Sequence, residues 1–305
     1  MQKNEKKFMK QFVFSKKQMK KRIILFSLMI VVLLHWSWQI RNSITSSTDP
    51  IRIINQMHDS IAKIHSMRFH LYAKEKIGDS YLEAESDIKL SLNPKKIYFK
   101  NPQKKIEILF KEGQHENSAL VYPNMFPYTS LYLDPTGSLM RKNQHYTIHE
   151  LGYHFISRTI KSIVKKDPDN TIKNMHYSGK QNKAGINCLV ITYQNEKFAY
   201  YDHVAGAEEN VSLLAGKNLL SDYMIRNKNN LHSFYGYLKP GKIIRLPNAY
   251  CKKAVLYLNE KNFLPVAIDV YDENGLWESY IYSQVKINEP ISETEFDRKN
   301  PAYRF

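Results

Sequence analysis

Apolar and polar positions first follow a helical period and then a strand period. Ile54, Met57, Ile61 and Ile64 recur at spacings of three and four, which is one face of a helix. Asp49 followed by Pro50 marks its start: a side-chain acceptor for the first turn, then a ring with preset φ and no N–H to satisfy. The spacing predicts a helix to about Ser66. From there the period is two. Phe69, Leu71 and Ala73 alternate with polar residues, and Leu82, Ala84, Ser86, Ile88, Leu90 and Leu92 do so over a longer run. Residues 96–100, 105–110 and 118–122 read as further strands, separated by Asn93-Pro94, Asn101-Pro102 and Gly113. This pattern predicts an antiparallel meander with one solvated face.

A second helix is expected from Ile148 to Lys166, because Thr147 and Glu150 have the spacing of a capping box. Leu151, Phe155, Ile160 and Ile163 give it an apolar side. Strands resume at 175–180, 188–193, 252–259, 264–271 and 277–287, and Asn274-Gly275 suits a tight hairpin turn. Residues 198–247 interrupt this series. Val211, Leu213, Leu214 and Leu219, then Tyr223, Met224 and Ile225, suggest two short helices between strand-like ends at 198–204 and 242–246. The fold class expected is α+β: a curved antiparallel sheet or incomplete β-barrel with packed helices, formed by 51–197 and 248–305, with a small βααβ module inserted at 198–247.

Charge changes the picture at the N-terminus. The net charge is +16, and half of it comes from residues 1–22, where nine basic side chains accompany Glu5 alone. The remainder is only mildly basic and has no dense basic stripe interleaved with aromatics, which argues against a nucleic-acid partner. Residues 23–40 are largely apolar and approach the ~20 residues that a membrane helix needs. Trp36 and Trp38 fall where an interfacial belt sits, and the basic block keeps the N-terminus inside. We therefore expect a cytoplasmic segment (1–22), a transmembrane anchor or signal peptide (23–40) and a linker (41–50). The C-terminal domain then lies in the periplasm, as a single-pass inner-membrane protein or exported after cleavage. No small-x-small site follows the apolar run, which favours retention, whereas translation from Met19 would give an ordinary signal-peptide leader.

Hydrophobic residues at 43% suffice for a packed core. Cys188 and Cys251 lie in strand-like runs. An oxidising compartment permits a disulfide between them, but two small buried apolar residues are the favoured reading. The most tempting chemistry is His145, His149, Glu150 and His154. On a helix His149 and His154, five apart, point in different directions, and His145 precedes the cap, so a zinc site is not expected. No nucleophile elbow or phosphate loop is present, so no catalytic residue and no cofactor is assigned. Tyr257, Tyr271, Tyr280 and Tyr282 on the C-terminal strands read as packing residues, with the lining of an apolar ligand cavity as the alternative.

Two family resemblances add to this. Asn210-Val-Ser-Leu-Leu-Ala215, Asp222-Tyr-Met-Ile-Arg-Asn-Lys-Asn229 and Leu238-Lys-Pro-Gly-Lys-Ile-Ile-Arg-Leu-Pro247 resemble a LysM domain, a peptidoglycan- and chitin-binding module. That resemblance implies glycan contacts from Glu209, Asn210, Asn229 and Asn230, with Val211 and Leu231 beneath the sugar faces. Glu208 stands where the family usually has Gly in the turn that lines the groove. The flanking sequence resembles the bacterial family called domain of unknown function 1571. The residues that carry this are Asn93-Pro-Lys-Lys-Ile-Tyr98, Leu133-Asp-Pro135, Asn143 to Gly152, Leu264-Pro265, Val270-Tyr-Asp272, Glu278-x-Tyr-x-Tyr282 and Phe296 to Phe305. This second resemblance implies the curved half-barrel of LolA-type lipoprotein carriers, with an apolar cavity for acyl chains. Together they imply a non-enzymatic periplasmic binding protein with peptidoglycan and an acyl chain or lipoprotein as partners. A lipid or lipoprotein chaperone with a purely structural insert is the alternative, and an envelope hydrolase the third reading.

Overall fold

The computed structural model describes residues 49–126 and 128–305; the expectations placed on 1–48 lie outside the described residues. The chain divides into residues 1–52 and residues 53–305. Of the first unit only the start of helix α1 (Pro50–Ala62) is described, where Asp49 Oδ1 accepts the Ile51 amide at 3.0 Å. No helix among the described residues is long and apolar enough to cross a membrane.

In the second unit, Ile53, Ile54, Met57 and Ile61 bury the expected face of α1. The helix ends at Ala62, before Ser66 begins β1 (Ser66–Ile77). There follow β2 (Ser80–Leu92), β3 (Lys95–Asn101), β4 (Ile106–Lys111), β5 (Ala119–Tyr122) and β6 (Leu131–Leu133). Helices α2 (Tyr153–Lys166) and α3 (Pro168–Lys173) lead to β7 (Met175–Lys183) and β8 (Ile186–Gln194). The interrupting segment holds β9 (Tyr200–Val204), α4 (Val211–Asn218), α5 (Asp222–Lys228) and β10 (Ile243–Pro247). Finally come β11 (Lys253–Asn259), β12 (Pro265–Asp272) and β13 (Gly275–Ile287). Eleven strands form one open antiparallel sheet in the order β6-β5-β4-β3-β2-β1-β13-β12-β11-β8-β7. The meander expected from the alternating pattern is present, with β6 and α3 as additions.

The helix expected from Ile148 starts later. The capping box forms, with Thr147 N donating to Glu150 Oε2 at 2.6 Å, but it caps only a 3-10 turn over Ile148–Glu150. The chain then breaks at Gly152, whose φ is +89°, and α2 begins at Tyr153. The break has a steric cause. A Cβ on Gly152 would stand 2.7 Å from Leu90 Cδ2 and 3.3 Å from Met67 Sδ, so the backbone here lies directly on β1 and β2. This contact sets α2 across the concave face of the sheet. His58 Nδ1 and Ser157 Oγ, 2.8 Å apart, join α1 to α2, and burial lowers the His58 pKa to about 4, leaving the ring neutral.

The outer face of β3, β4 and β5 is covered by the chain's own end. Tyr98, Leu109 and Leu120 pack with Phe296, Tyr303 and Phe305, and Tyr98 stacks on Tyr303 with ring centroids 3.9 Å apart. In the interrupting segment β9 and β10 pair with each other and not with the large sheet. Cys188 and Cys251 are both buried and free.

Gly152→Ala is expected to destabilise the protein by about 2 kcal/mol, from a positive φ combined with overpacking. Urea unfolding measures this, and a loss below about 0.5 kcal/mol would show that the close approach to Leu90 is not needed.

Candidate functional site

A cavity of ≈ 1160 Å³ lies between the concave face of the sheet and α2. The strand period puts residues from each of the eleven strands of the large sheet into it. Leu71 and Ala73 of β1, Leu82 and Ala84 of β2, Ile268 and Val270 of β12 and Leu256 of β11 all line it. Ala73 and Ala84 are cross-strand partners, so the floor there is low. From above, α2 contributes Phe155, Ile156, Thr159, Ile160 and Ile163. All five are only half-buried; Ile156 also packs against the buried cluster around Tyr223 and Trp277. Tyr280 and Tyr282 line the cavity, as one reading of the C-terminal tyrosines had it. Tyr257 and Tyr271 instead lie beneath the ammonium groups of Lys183 and Lys253.

One end of the cavity is polar. Glu75 of β1 and Glu278 of β13 stand directly opposite each other across the two strands, and both are buried. His145 sits between them. Its backbone N–H donates to Glu75 Oε2 at 3.0 Å, its Nδ1 lies 2.7 Å from Glu278 Oε2, and its Nε2 lies 3.0 Å from the Lys76 carbonyl oxygen. Both ring nitrogens face acceptors, so both carry protons. Burial alone lowers the His145 pKa, but the Glu278 hydrogen bond and the two carboxylates outweigh it, and the net shift is upward. Tyr146 OH donates to Glu278 Oε1 at 2.6 Å and Tyr280 OH donates to Glu75 Oε1, so the carboxylates are shared among donors. Burial pushes the Tyr146, Tyr250 and Tyr280 phenols well up, so they remain protonated donors. With both N–H groups spent, His145 has no lone pair for proton abstraction. It is a positioning group.

The other histidines go elsewhere. His149 packs edge-on to Phe110 at 4.8 Å and accepts Lys95 Nζ at its carbonyl. Among the described residues no group of three or more His, Cys, Asp or Glu side chains is arranged to hold a metal ion.

The residues considered for glycan contact lie around the start of α4 and the end of α5. Asn210 Oδ1 caps α4 by accepting the Leu213 amide at 2.8 Å. Glu209 Oε2 accepts from the Gly206 amide and lies 2.7 Å from His203 Nε2, a hydrogen bond that lowers its pKa. Asn229 spends its side-chain amide on Ile225 O, Arg245 O and Arg245 N. Val211 is fully buried and has no surface to offer a sugar ring; Leu231 packs against the same core, and Asn230 is exposed. The segment joins the cavity's border through Arg141, whose guanidinium contacts both Asp222 oxygens at 3.1 and 3.0 Å and donates to His145 O.

Glu75 escaped notice in the sequence, although it continues the inward row Phe69, Leu71, Ala73. A carboxylate at an inward position was the available signal, and Glu278-x-Tyr-x-Tyr282 repeats it on β13.

Residues 64–205 and 243–305 match the model of a protein family of unknown function, DUF1571. The chain belongs to that family. The DUF1571 match omits residues 206–242, which include α4 and α5. No functionally curated protein matches this DUF1571 chain. Solved structures similar to it include lipoprotein LppX of Mycobacterium tuberculosis, at 14% identity and TM-score 0.38, covering 79% of this chain and 96% of that one. A LolA superfamily protein from Nitrosomonas europaea has 10% identity and TM-score 0.31, covering 82% and 98%. The Pseudomonas aeruginosa MucA/MucB complex has 11% identity and TM-score 0.35; this chain spans 60% of the chain it matches there, with 82% of its own length covered.

Glu278→Gln is expected to cost about 3–5 kcal/mol, because it breaks a buried charged pair. The sign follows from the raised His145 pKa: its contribution is present below the unfolded value of 6.5 and is lost as pH rises through the folded value. The stability gap between wild type and variant should therefore shrink as pH rises from 6. Unfolding curves across that range test this, and a gap that widens with pH would refute the charged-imidazole assignment.

Proposed function

We propose that this chain is a non-enzymatic binding protein of the bacterial envelope, whose cavity takes the acyl chain of a lipid or lipoprotein. The observation that carries the proposal is the half-buried apolar face of α2 over an open cavity of ≈ 1160 Å³. Ligand pockets of ordinary size run to about 1,000 Å³. Each methylene buried there gains about 0.8 kcal/mol, so a long chain is favoured over a compact ligand. Residues 23–40 would tether or deliver the protein, with the cavity domain in the periplasm.

Organic extracts of the purified protein should contain acyl lipid by mass spectrometry. Ala84→Trp fills the floor beside Ala73, and it should weaken an apolar fluorophore such as N-phenylnaphthylamine about tenfold or more. Unchanged affinity in a folded variant would sink the reading.

A second reading gives the 198–247 segment a glycan contact with peptidoglycan. It is favoured by an apolar pair, Val204 and Ile243, which are cross-strand partners and both exposed, the kind of surface on which a sugar face stacks. The chain should sediment with purified sacculi, and Val204→Asp with Ile243→Asp should abolish this. Sedimentation equal to wild type would leave the segment a structural role.

A further inference from the structure

The rim of the cavity has a surface that the binding of a ligand inside does not explain. Between β5 and β6 and just after β6 the chain exposes large apolar side chains: Met125 is 62%, Phe126 85% and Leu139 71% exposed. Tyr128 and Leu131 add to them. Met125, Phe126, Leu131 and Leu139 also line the cavity, so the patch is continuous with its mouth. Side chains of this size and number in one place mark an interaction surface.

Charge selects the partner. Lys104 and Lys142 lie beside the patch: the Lys104 carbonyl accepts Asn124 Nδ2 at 3.2 Å and the Lys142 amide donates to the Leu139 carbonyl at 3.4 Å. Lys166, Lys173 and Lys197 line the cavity near the end of α2, the start of β7 and the end of β8, with the exposed carboxylates Asp167 and Glu196. Lys166 Nζ donates to the Asn218 carbonyl. Among the described residues, none of the other four is in an ion pair with a carboxylate. Apolar tips flanked by Lys104 and Lys142, neither in an ion pair with a described carboxylate, match the two layers of an anionic bilayer: acyl boundary for the tips, headgroup phosphates for the ammonium groups. A protein partner would be expected to supply carboxylates at the rim and a dry pocket for Phe126.

We infer that the rim docks on an anionic phospholipid surface, with Met125, Phe126 and Leu139 entering the interface and the lysines on the headgroups, so that the mouth opens onto the bilayer. The patch and the charge carry this independently of what the cavity holds. Cys188 and Cys251 are buried, so a thiol introduced by Phe126→Cys can be labelled selectively with a polarity-sensitive nitrobenzoxadiazole group in the full chain. Lys261→Cys, at the exposed turn between β11 and β12, is the control. With phosphatidylglycerol vesicles, emission at position 126 should rise about threefold and shift to the blue, with position 261 unchanged. The response should fall in high salt and in phosphatidylcholine, and be lost in the Lys104→Glu, Lys142→Glu double variant. Equal responses at 126 and 261, or equal responses to both lipids, would overturn the proposal. A silent label at 126 in a protein that still binds N-phenylnaphthylamine would do so while leaving the cavity reading intact, and would point to a protein partner.

Discussion

Two carboxylates directly opposite each other on neighbouring strands repel, and burying them multiplies the cost. Glu75 and Glu278 are in that position, and they are so at the seam where β1 meets β13, more than 200 residues apart in sequence. That seam joins the N-terminal half of the sheet to the C-terminal half. His145 is what makes it tenable. Its charge lies between the carboxylates, its three N–H groups are all used, and it belongs to the segment that leads into α2. The same segment that neutralises the seam places Gly152 against the surface of Leu90 and Met67. Seam, break and helix position are one constraint.

Gathering the buried carboxylates at one end leaves Leu71, Ala73, Leu82, Ala84, Leu256 and Ile268 to make the rest of the inward face apolar. A sheet face and a helix face that met directly would close into a core, yet α2 is held over the sheet by its N-terminal contact while Phe155, Ile156, Ile160 and Ile163 remain half-buried. The small pair Ala73 and Ala84 deepens the gap. An apolar surface left in this state gains free energy when something fills it, so occupancy and stability are linked.

The fold was legible where a period was sustained. The alternating runs became β1 and β2, the apolar runs at 264–271 and 277–287 became β12 and β13, and the spacing of Ile54, Met57 and Ile61 became a buried helix face. The three-residue β6 is too short to show a period, and α3 rests on Asp167 accepting the Asn170 amide before Pro168-led turns. The helix at 148 was misplaced because the capping box is a local signal. It was satisfied by a 3-10 turn, while the true start depends on where Gly152 touches β1 and β2. The polar end of the cavity was half visible. Glu278, Tyr280 and Tyr282 alternate in plain sight, but the partner that neutralises Glu278 lies 133 residues away, a pairing no local pattern carries. The open cavity itself is a tertiary fact, since an inward apolar row looks the same over a filled core.

The segment between β9 and β10 shows where reading by modules and reading by packing part company. As a string it is separable: β9 and β10 pair only with each other, and the DUF1571 match resumes at 243 as though the interior were an aside. Its core is not separable. Tyr223, Met224 and Ile225 belong to one buried cluster with Cys251, Ile268, Val270 and Trp277, the last four from the C-terminal strands and their approach. Tyr223 and Trp277 both lie against the His145 ring, at 4.3 and 4.7 Å between centroids. The aromatic pair is thus the apolar wall of the charged seam. It keeps water from His145 and so strengthens the attraction to Glu278 that holds the sheet together. A segment that supplies half of that wall is part of the domain's foundation, whatever its exposed side binds.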